Sequence, residues 1–530
     1  MDHSAKDGLL SIMIRSHSRT DTLTMAMWDN LTVWLLTAVT LVAVTLLFNT
    51  LYNLYLHPLR NLPGPRLWAS SHIPYTYHWM NGRMGYVLRD LHEEFGDVIR
   101  VAPNRVSFTH PDAWRDVRGH RKPGQLENGK DPIFYAMSQH NILGADREDH
   151  ARFRRILSHG FSAKAMQDQQ PFIAAYIDLL IRRLKEMTQN KKSPAVANLG
   201  AWFNFTTFDV IGDLAFGSPF GCLEKSDYHP WVTAILGGVK EFGTIQAIKW
   251  HSPFLLNTIK ALFPQNYVGK NTDQQSAYAH NKIVKRLESS TSRPDFLHAM
   301  VTAKSEDGRA LTTEELVTNA RILILAGSET TATALTATAY YLATHPRVHA
   351  ELSREVRTAF SSEEQIDFFS VNKLKYMLAV LDESMRMFPP VPASLPRVTA
   401  RGGDVVCGYP IAEGAKLDIF MWPMNHSSRN FSEPDKFIPE RWLDVDEFDG
   451  VRFDKSRHHA VQAFSVGPRN CIGKNLAYVE MRLILARLIW NFDLSLADKT
   501  SENWDNCIGF GLWVKPELNI RLSPVNKAAV

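Results

Sequence analysis

Phe464-Ser465-Val466-Gly467-Pro468-Arg469-Asn470-Cys471-Ile472-Gly473 is the stretch on which the reading of this 530-residue chain turns. It places one cysteine in a turn-rich loop, directly before the helical run Lys474-Asn475-Leu476-Ala477-Tyr478. Two readings are open. Most lone cysteines are small core residues. A thiolate that ligates a metal needs more: a tight loop, backbone N–H groups aimed at sulfur and an apolar wall that excludes water. Gly467 and Gly473 allow the turns, Phe464 supplies the wall, and the following helix brings its positive N-terminal end near the sulfur.

Working outward, Thr312 and Glu315 stand at capping-box spacing before a helix predicted from about Thr313 to Thr344, ending before Pro346 and about 48 Å long. Its middle, RILILAGSETTATALTATAYYL, is apolar or small nearly all round, which places it in the interior. Within it, Ala326 and Gly327 permit a flat ligand to approach the backbone, and the Thr330 hydroxyl can bond the Ala326 carbonyl, i to i−4, opening a groove. A small-residue helix crossing is the alternative for the same residues. Further on, Glu383-Ser384-Met385-Arg386 sets an acid and a guanidinium at i, i+3 on one face, and Phe437-Ile438-Pro439-Glu440-Arg441-Trp442 follows it.

In this order, these segments resemble the cytochrome P450 superfamily. Phe464, Gly467, Arg469, Cys471 and Gly473 match its haem-binding signature, a coincidence of roughly less than one in a thousand at ordinary residue frequencies. Ala326-Gly327-Ser328-Glu329-Thr330 resembles its oxygen-binding motif. His150-Ala151-Arg152-Phe153-Arg154-Arg155 resembles the helix whose Trp-x-x-x-Arg pattern holds a haem propionate, with His150 at the Trp position. The likeness runs over residues 60–523, and HARFRRILSHGFS and GLWVKPELNIRL give it the flavour of fungal microsomal enzymes such as the trichothecene C-15 hydroxylases.

The resemblance implies a mainly α fold with a small β lobe, and haem b with Cys471 as axial ligand to the iron. It also implies propionate contacts from Arg469, Arg154, Arg397 and His150. Phe464, Ala326 and Gly327 would lie against the cofactor, and Thr330 with Glu329 would relay protons to reduced dioxygen. Glu383, Arg386 and Arg441 would form a buried network that locks a helix onto the loop before the cysteine. The implied reaction inserts one atom of dioxygen into a lipophilic molecule such as a terpenoid or polyketide. Pocket walls are expected from residues 124–143, 322–330, 391–395 and 508–512. No flavin domain or GxGxxG fingerprint occurs, so electrons from NADPH would come through an NADPH–cytochrome P450 reductase, with cytochrome b5 as auxiliary. Arg152, Arg155 and Lys474 are candidates for that docking face. A haem-thiolate isomerase or dehydratase, or a non-catalytic haem sensor, are the alternatives.

The remaining sequence bounds this reading. A formal charge of +4 without a long basic tract gives no ground for nucleic-acid binding. Cys222, Cys407, Cys471 and Cys507 are too few and too scattered for a disulfide framework or a zinc site. Leu31 to Leu51 is apolar apart from Thr and Asn, and its 21 residues would span about 31 Å, the depth of a bilayer core. The organisation read from the chain is a polar tail (1–30), a retained transmembrane anchor (31–51), a stiff proline-rich elbow (52–66) and one haem domain (67–530). The implied reductase faces the cytosol, which gives an endoplasmic reticulum membrane location with the domain on the cytosolic side. Strands are expected at 97–101 and 105–108 as a hairpin, and at 404–406, 416–420 and 518–522.

Overall fold

Helices α1 (Arg147–Ser158), α2 (Leu199–Phe216), α3 (Thr313–Thr344), α4 (Lys375–Met387) and α5 (Lys474–Asn491) hold the candidate site between them. The computed structural model describes residues 32–526 except 137, 190–194, 252, 263–269, 289–292, 294 and 304–307, so the polar tail lies outside the described residues. Among those described, helix dominates and the strands are short, the mainly α architecture with a small β lobe that the resemblance implies.

The predicted central helix is observed with the predicted ends. Thr312 Oγ1 accepts the Glu315 N–H at 3.2 Å, and Glu315 Oε2 accepts the Thr312 N–H at 2.9 Å, closing the capping box. His345 and Pro346 stop the helix, since proline at the start of the next helix disfavours helical backbone before it. From Thr331 to Leu342 every residue of α3 is buried, because α2, itself buried almost throughout, lies along it. A helix apolar on all sides must have neighbours on all sides.

The β lobe is a five-stranded sheet of β1 (Val98–Ala102), β2 (Arg105–Phe108), β3 (Gly129–Lys130), β4 (Arg397–Val398) and β5 (Lys416–Asp418), in the order β1-β2-β5-β4-β3. β1 and β2 form the predicted antiparallel hairpin, with a bulge between Arg100 and Ala102. β3 pairs antiparallel with β4, setting Lys130 opposite Arg397. Asp404–Val406 pairs with Tyr409–Ile411, and Asn519–Pro524 lies between Phe492–Leu496 and Ala195–Asn198. Near the C-terminus β6 (Ile508–Gly509) and β7 (Trp513–Val514) make a small hairpin.

An apolar helix long enough to cross a membrane runs over Thr32–Leu56 and buries none of its span against the protein. It continues five residues past the apolar run through a π-helical turn, Tyr52–Leu56, before Pro58 ends it. The expected elbow therefore begins later, and it is docked on the sheet. Arg100 N–H donates to Pro63 O at 2.7 Å, the Arg100 guanidinium donates to Asn53 O at 2.8 Å, and Asn53 Nδ2 donates to Ser70 O at 2.9 Å.

Candidate active site

The cysteine loop is built by close approach. Gly467 has φ of +77° and sits where a Cβ would collide with the Arg118 carbonyl oxygen, so both conformation and space demand glycine. Gly473 differs from expectation: its φ is −85°, and it serves as the residue that opens α5 rather than as a left-handed turn. Cys471 N–H donates to Phe464 O at 2.9 Å, and the Phe464 ring leans on Tyr478 of α5 at 5.1 Å. Burial pushes the Cys471 thiol up from its ordinary range, while the Gly473 N–H, Arg154 and Lys474 act the other way and favour the thiolate.

Helix α3 presents two distinct faces. Ala326 is exposed and Thr330 half-exposed on one of them, and the Thr330 hydroxyl donates to Ala326 O at 2.5 Å, the predicted i to i−4 bond. Gly327 faces α2. A Cβ there would lie 2.8 Å from Ile211 Cδ1 on α2, so its smallness lets α2 and α3 cross, which is the alternative reading of that residue. Glu329 is buried on the flank, ion-paired with Lys515 just beyond β7.

The expected propionate partners are brought together in part. Arg469 Nε donates to Glu127 Oε1 at 2.6 Å and Arg397 Nη1 to the same oxygen at 3.1 Å. Lys130 stands beside them because of the β3–β4 register. Burial pushes the Lys130 ammonium well down, and Arg397, Arg469 and Arg118 add to that. Burial opposes ionisation of Glu127, yet Arg469 and Arg397 outweigh it and hold the carboxyl below its usual range. His150 is buried next to this cluster, and burial first, then Arg469, Lys130 and Arg154, push its imidazole down to about 3. Arg154 departs from the expected set. Its guanidinium donates to Asn470 O at 2.6 Å and Asn470 Oδ1 at 2.5 Å, bracing the residue next to Cys471.

These residues fit a flat dianionic haem. Arg397 and Arg469 share the carboxylate of Glu127, with Lys130 and Arg118 beside these guanidiniums. The Nε atoms of Arg118 and Arg397 and the Tyr135 hydroxyl are buried without a partner, so acceptors are in deficit there. Two propionates would supply them. A cavity of about 610 Å³, lined by Glu127, Lys130, Tyr135 and Arg469 among others, adjoins the cluster. Arg118 and Lys130 escaped the sequence reading. Neither belongs to a local motif, and only strand register and the Gly467 contact bring them in.

The expected structural network is complete. Glu383 takes a bidentate pair from Arg386 (2.8 Å and 2.8 Å), a bond from Arg441 Nε (3.2 Å), one from Trp442 Nε1 (2.9 Å) and the Ile438 N–H (2.9 Å). Arg386 also donates to the carbonyls of Asn425, Pro434 and Lys436, tying α4 to the segment before the cysteine loop. Glu383→Ala would leave two buried guanidiniums uncompensated, which costs about 3–5 kcal/mol. The variant should show a thermal midpoint lowered by many degrees and poor haem retention. A midpoint within one or two degrees of wild type would show that the network is dispensable.

Of the proposed docking residues, Arg155 and Lys474 are exposed, but Arg152 is engaged by Asp149 and Glu315. Of the expected pocket walls, 124–143, 391–395 and 508–512 contribute Phe134, Ala393 and Phe510 to one apolar cluster, whereas Leu323 and Ile324 of 322–330 pack into the main helical core. The Phe134 ring meets Phe242 at 5.5 Å, and Phe510 meets Trp79 at 6.4 Å.

Comparison with known proteins agrees with this geometry. The family model described as Cytochrome P450 matches residues 62–522. Trichothecene C-15 hydroxylase of Fusarium sporotrichioides is 43% identical over 474 residues, covering 89% of this chain and 94% of that protein. Cytochrome P450 monooxygenase astJ of Aspergillus oryzae is 42% identical, covering 91% of this chain and 95% of its own. Cytochrome P450 monooxygenase astA of Talaromyces wortmannii is 41% identical, covering 89% and 94%. With a family model matched over residues 62–522 and a relative 43% identical over 89% of its length, this chain belongs to the cytochrome P450 family.

Proposed function

We propose that this protein is a membrane-anchored haem monooxygenase that oxidises a lipophilic intermediate of fungal secondary metabolism, with electrons from an NADPH–cytochrome P450 reductase and cytochrome b5 as an auxiliary donor. The observation that carries the reading is the placement of Thr330, bonded to Ala326 O at 2.5 Å, on the open face of α3 within a fold that also presents Cys471. Bound haem supplies the reductive activation of dioxygen, with thiolate donation favouring O–O cleavage. Cys471 holds the iron. Arg397, Arg469, Lys130 and His150 take the propionates. Arg154 supports this indirectly by fixing Asn470 beside the ligand. Thr330 holds a donatable proton at its hydroxyl, and Glu329 is the acid one position away on the same helix. The aromatic wall of Phe134, Phe242 and Phe510 excludes water and suits an apolar ring system.

The helix Thr32–Leu56 serves as the anchor of residues 31–51 and their continuation, and the haem domain occupies 67–530. A reductase facing the cytosol places that domain on the cytosolic side of the endoplasmic reticulum. The name of one relative, trichothecene C-15 hydroxylase, supports a terpenoid substrate.

The test is reconstitution with such a reductase and fractions of an apolar metabolite extract. One fraction should accelerate NADPH consumption and yield a product heavier by one oxygen atom, only when reductase and NADPH are both present. A product of unchanged mass formed without NADPH would establish the isomerase alternative instead.

A further inference from the structure

Glu329 is tied to a cation that lies 186 residues away in the chain. The Lys515 ammonium donates to Glu329 Oε1 and, at 2.6 Å, to Thr333 Oγ1. The ion pair is enclosed, with side chains only 9% (Lys515) and 3% (Glu329) exposed. It is also one-sided: Glu329 Oε2 is buried and takes no hydrogen bond. Asn204 Oδ1 on α2 is buried and unpartnered as well, while Asn204 Nδ2 donates to the Tyr228 hydroxyl at 3.2 Å. At 100° per residue, Glu329 and Thr333 share a stripe of α3 that lies roughly 60° round the helix from the Ala326 and Thr330 stripe. Lys515 therefore holds the carboxylate on the flank, off the face where dioxygen would be reduced.

We infer that Lys515 is the positioning residue for Glu329: their buried ion pair holds the carboxylate on the flank of α3, leaves its second oxygen buried and free of hydrogen bonds, and so sets proton supply to Thr330. The inference rests on the proposed role of Glu329 as proton donor. Its physical basis is that a carboxylate left here without its counter-charge would turn elsewhere for a partner, since an unpaired buried charge is costly. Lys515 directly follows β7, and within that strand Trp513 Nε1 donates to Pro389 O at 2.8 Å, which fixes the base from which the lysine side chain extends.

The experiment needs no identified substrate. Haem-loaded protein with reductase, NADPH and dioxygen reduces O2 by two electrons and two protons to hydrogen peroxide, or by four electrons and four protons to two waters. The ratio of peroxide formed to NADPH consumed reports how well protons reach the reduced oxygen. In Lys515→Met and in Glu329→Gln the water-forming flux should fall by about tenfold or more, within the range for a displaced general acid. The double variant should be no worse than either single one, because Lys515 acts through Glu329. Lys515→Arg, which keeps the pair, should retain the wild-type ratio. The carbon monoxide spectrum should stay that of wild type in all four. Should Lys515→Met fail to hold haem, Lys515→Gln keeps an amide donor for Thr333, removes the charge and serves in the same comparison.

An unchanged ratio in Lys515→Met or Lys515→Gln, with Glu329→Gln impaired, overturns the inference alone. An unchanged ratio in Glu329→Gln overturns the proton role of Glu329 itself. Losses that add in the double variant show that Lys515 only supports packing, and overturn it too.

Discussion

Cys471→Ser should yield a folded protein that holds haem weakly and has no monooxygenase turnover. The physical reason lies in charge. A neutral serine hydroxyl at this position cannot donate to iron as a thiolate does, although the loop that carries it survives. Gly467 still has its left-handed conformation, and the backbone bond from residue 471 to Phe464 O at 2.9 Å does not involve the side chain. Arg154 still holds Asn470. Loss of haem should also lower thermal stability, since a ligand at about 100 times its Kd stabilises by about 2.7 kcal/mol. Three measurements check this: haem content after gel filtration, the thermal midpoint, and the Soret band of the reduced carbon monoxide adduct, which in the wild type is red-shifted by thiolate ligation. A wild-type adduct with an unshifted, histidine-like band would overturn the assignment of Cys471.

Thr330→Ala should bind haem, carbon monoxide and substrate as the wild type does and lose product formation by about 10² to 10⁴. The hydroxyl is no ligand to the metal, and its one bond in the structure is to Ala326 O at 2.5 Å within the same helix. Removing it leaves α3 intact, because helical propensity rises from threonine to alanine. What disappears is the positioned proton. Consumption of NADPH should continue, with electrons leaving as hydrogen peroxide instead of in product and water. Equal product per NADPH in the variant and the wild type would assign Thr330 to helix packing and would favour the isomerase alternative.

Much of the site is legible in the amino-acid sequence, and the legible parts share a cause. The capping box at Thr312 and Glu315, the bond from Thr330 to Ala326 and the pair of Glu383 with Arg386 link residues three or four apart on one helix, where spacing fixes geometry. The loop from Phe464 to Gly473 is also local, and its cysteine, glycine and arginine can be recognised in order along the chain. Even so, local pattern misjudges direction. Gly327 and Ala326 are adjacent small residues in sequence, yet Ala326 is exposed while Gly327 meets Ile211. Composition shows that a helix can be approached closely and is silent on which neighbour approaches.

Charges brought together from distant segments are decided by tertiary structure alone. Lys130 joins the cationic cluster because β3 pairs with β4 in the register that sets it opposite Arg397, and a shift by one residue would turn it away. Arg154 reaches Asn470 rather than Glu127 because of where α1 lies against the cysteine loop. Lys515 reaches Glu329 because the hairpin of β6 and β7 returns to the flank of α3. The sequence by itself thus determined the turn-rich cysteine loop, the central helix and the pair of Glu383 with Arg386, since each is encoded by neighbours along one segment. The tertiary structure alone decided the partners of the isolated cations and of Glu329, because a long flexible side chain takes whichever counter-charge the packing of remote elements places within its reach.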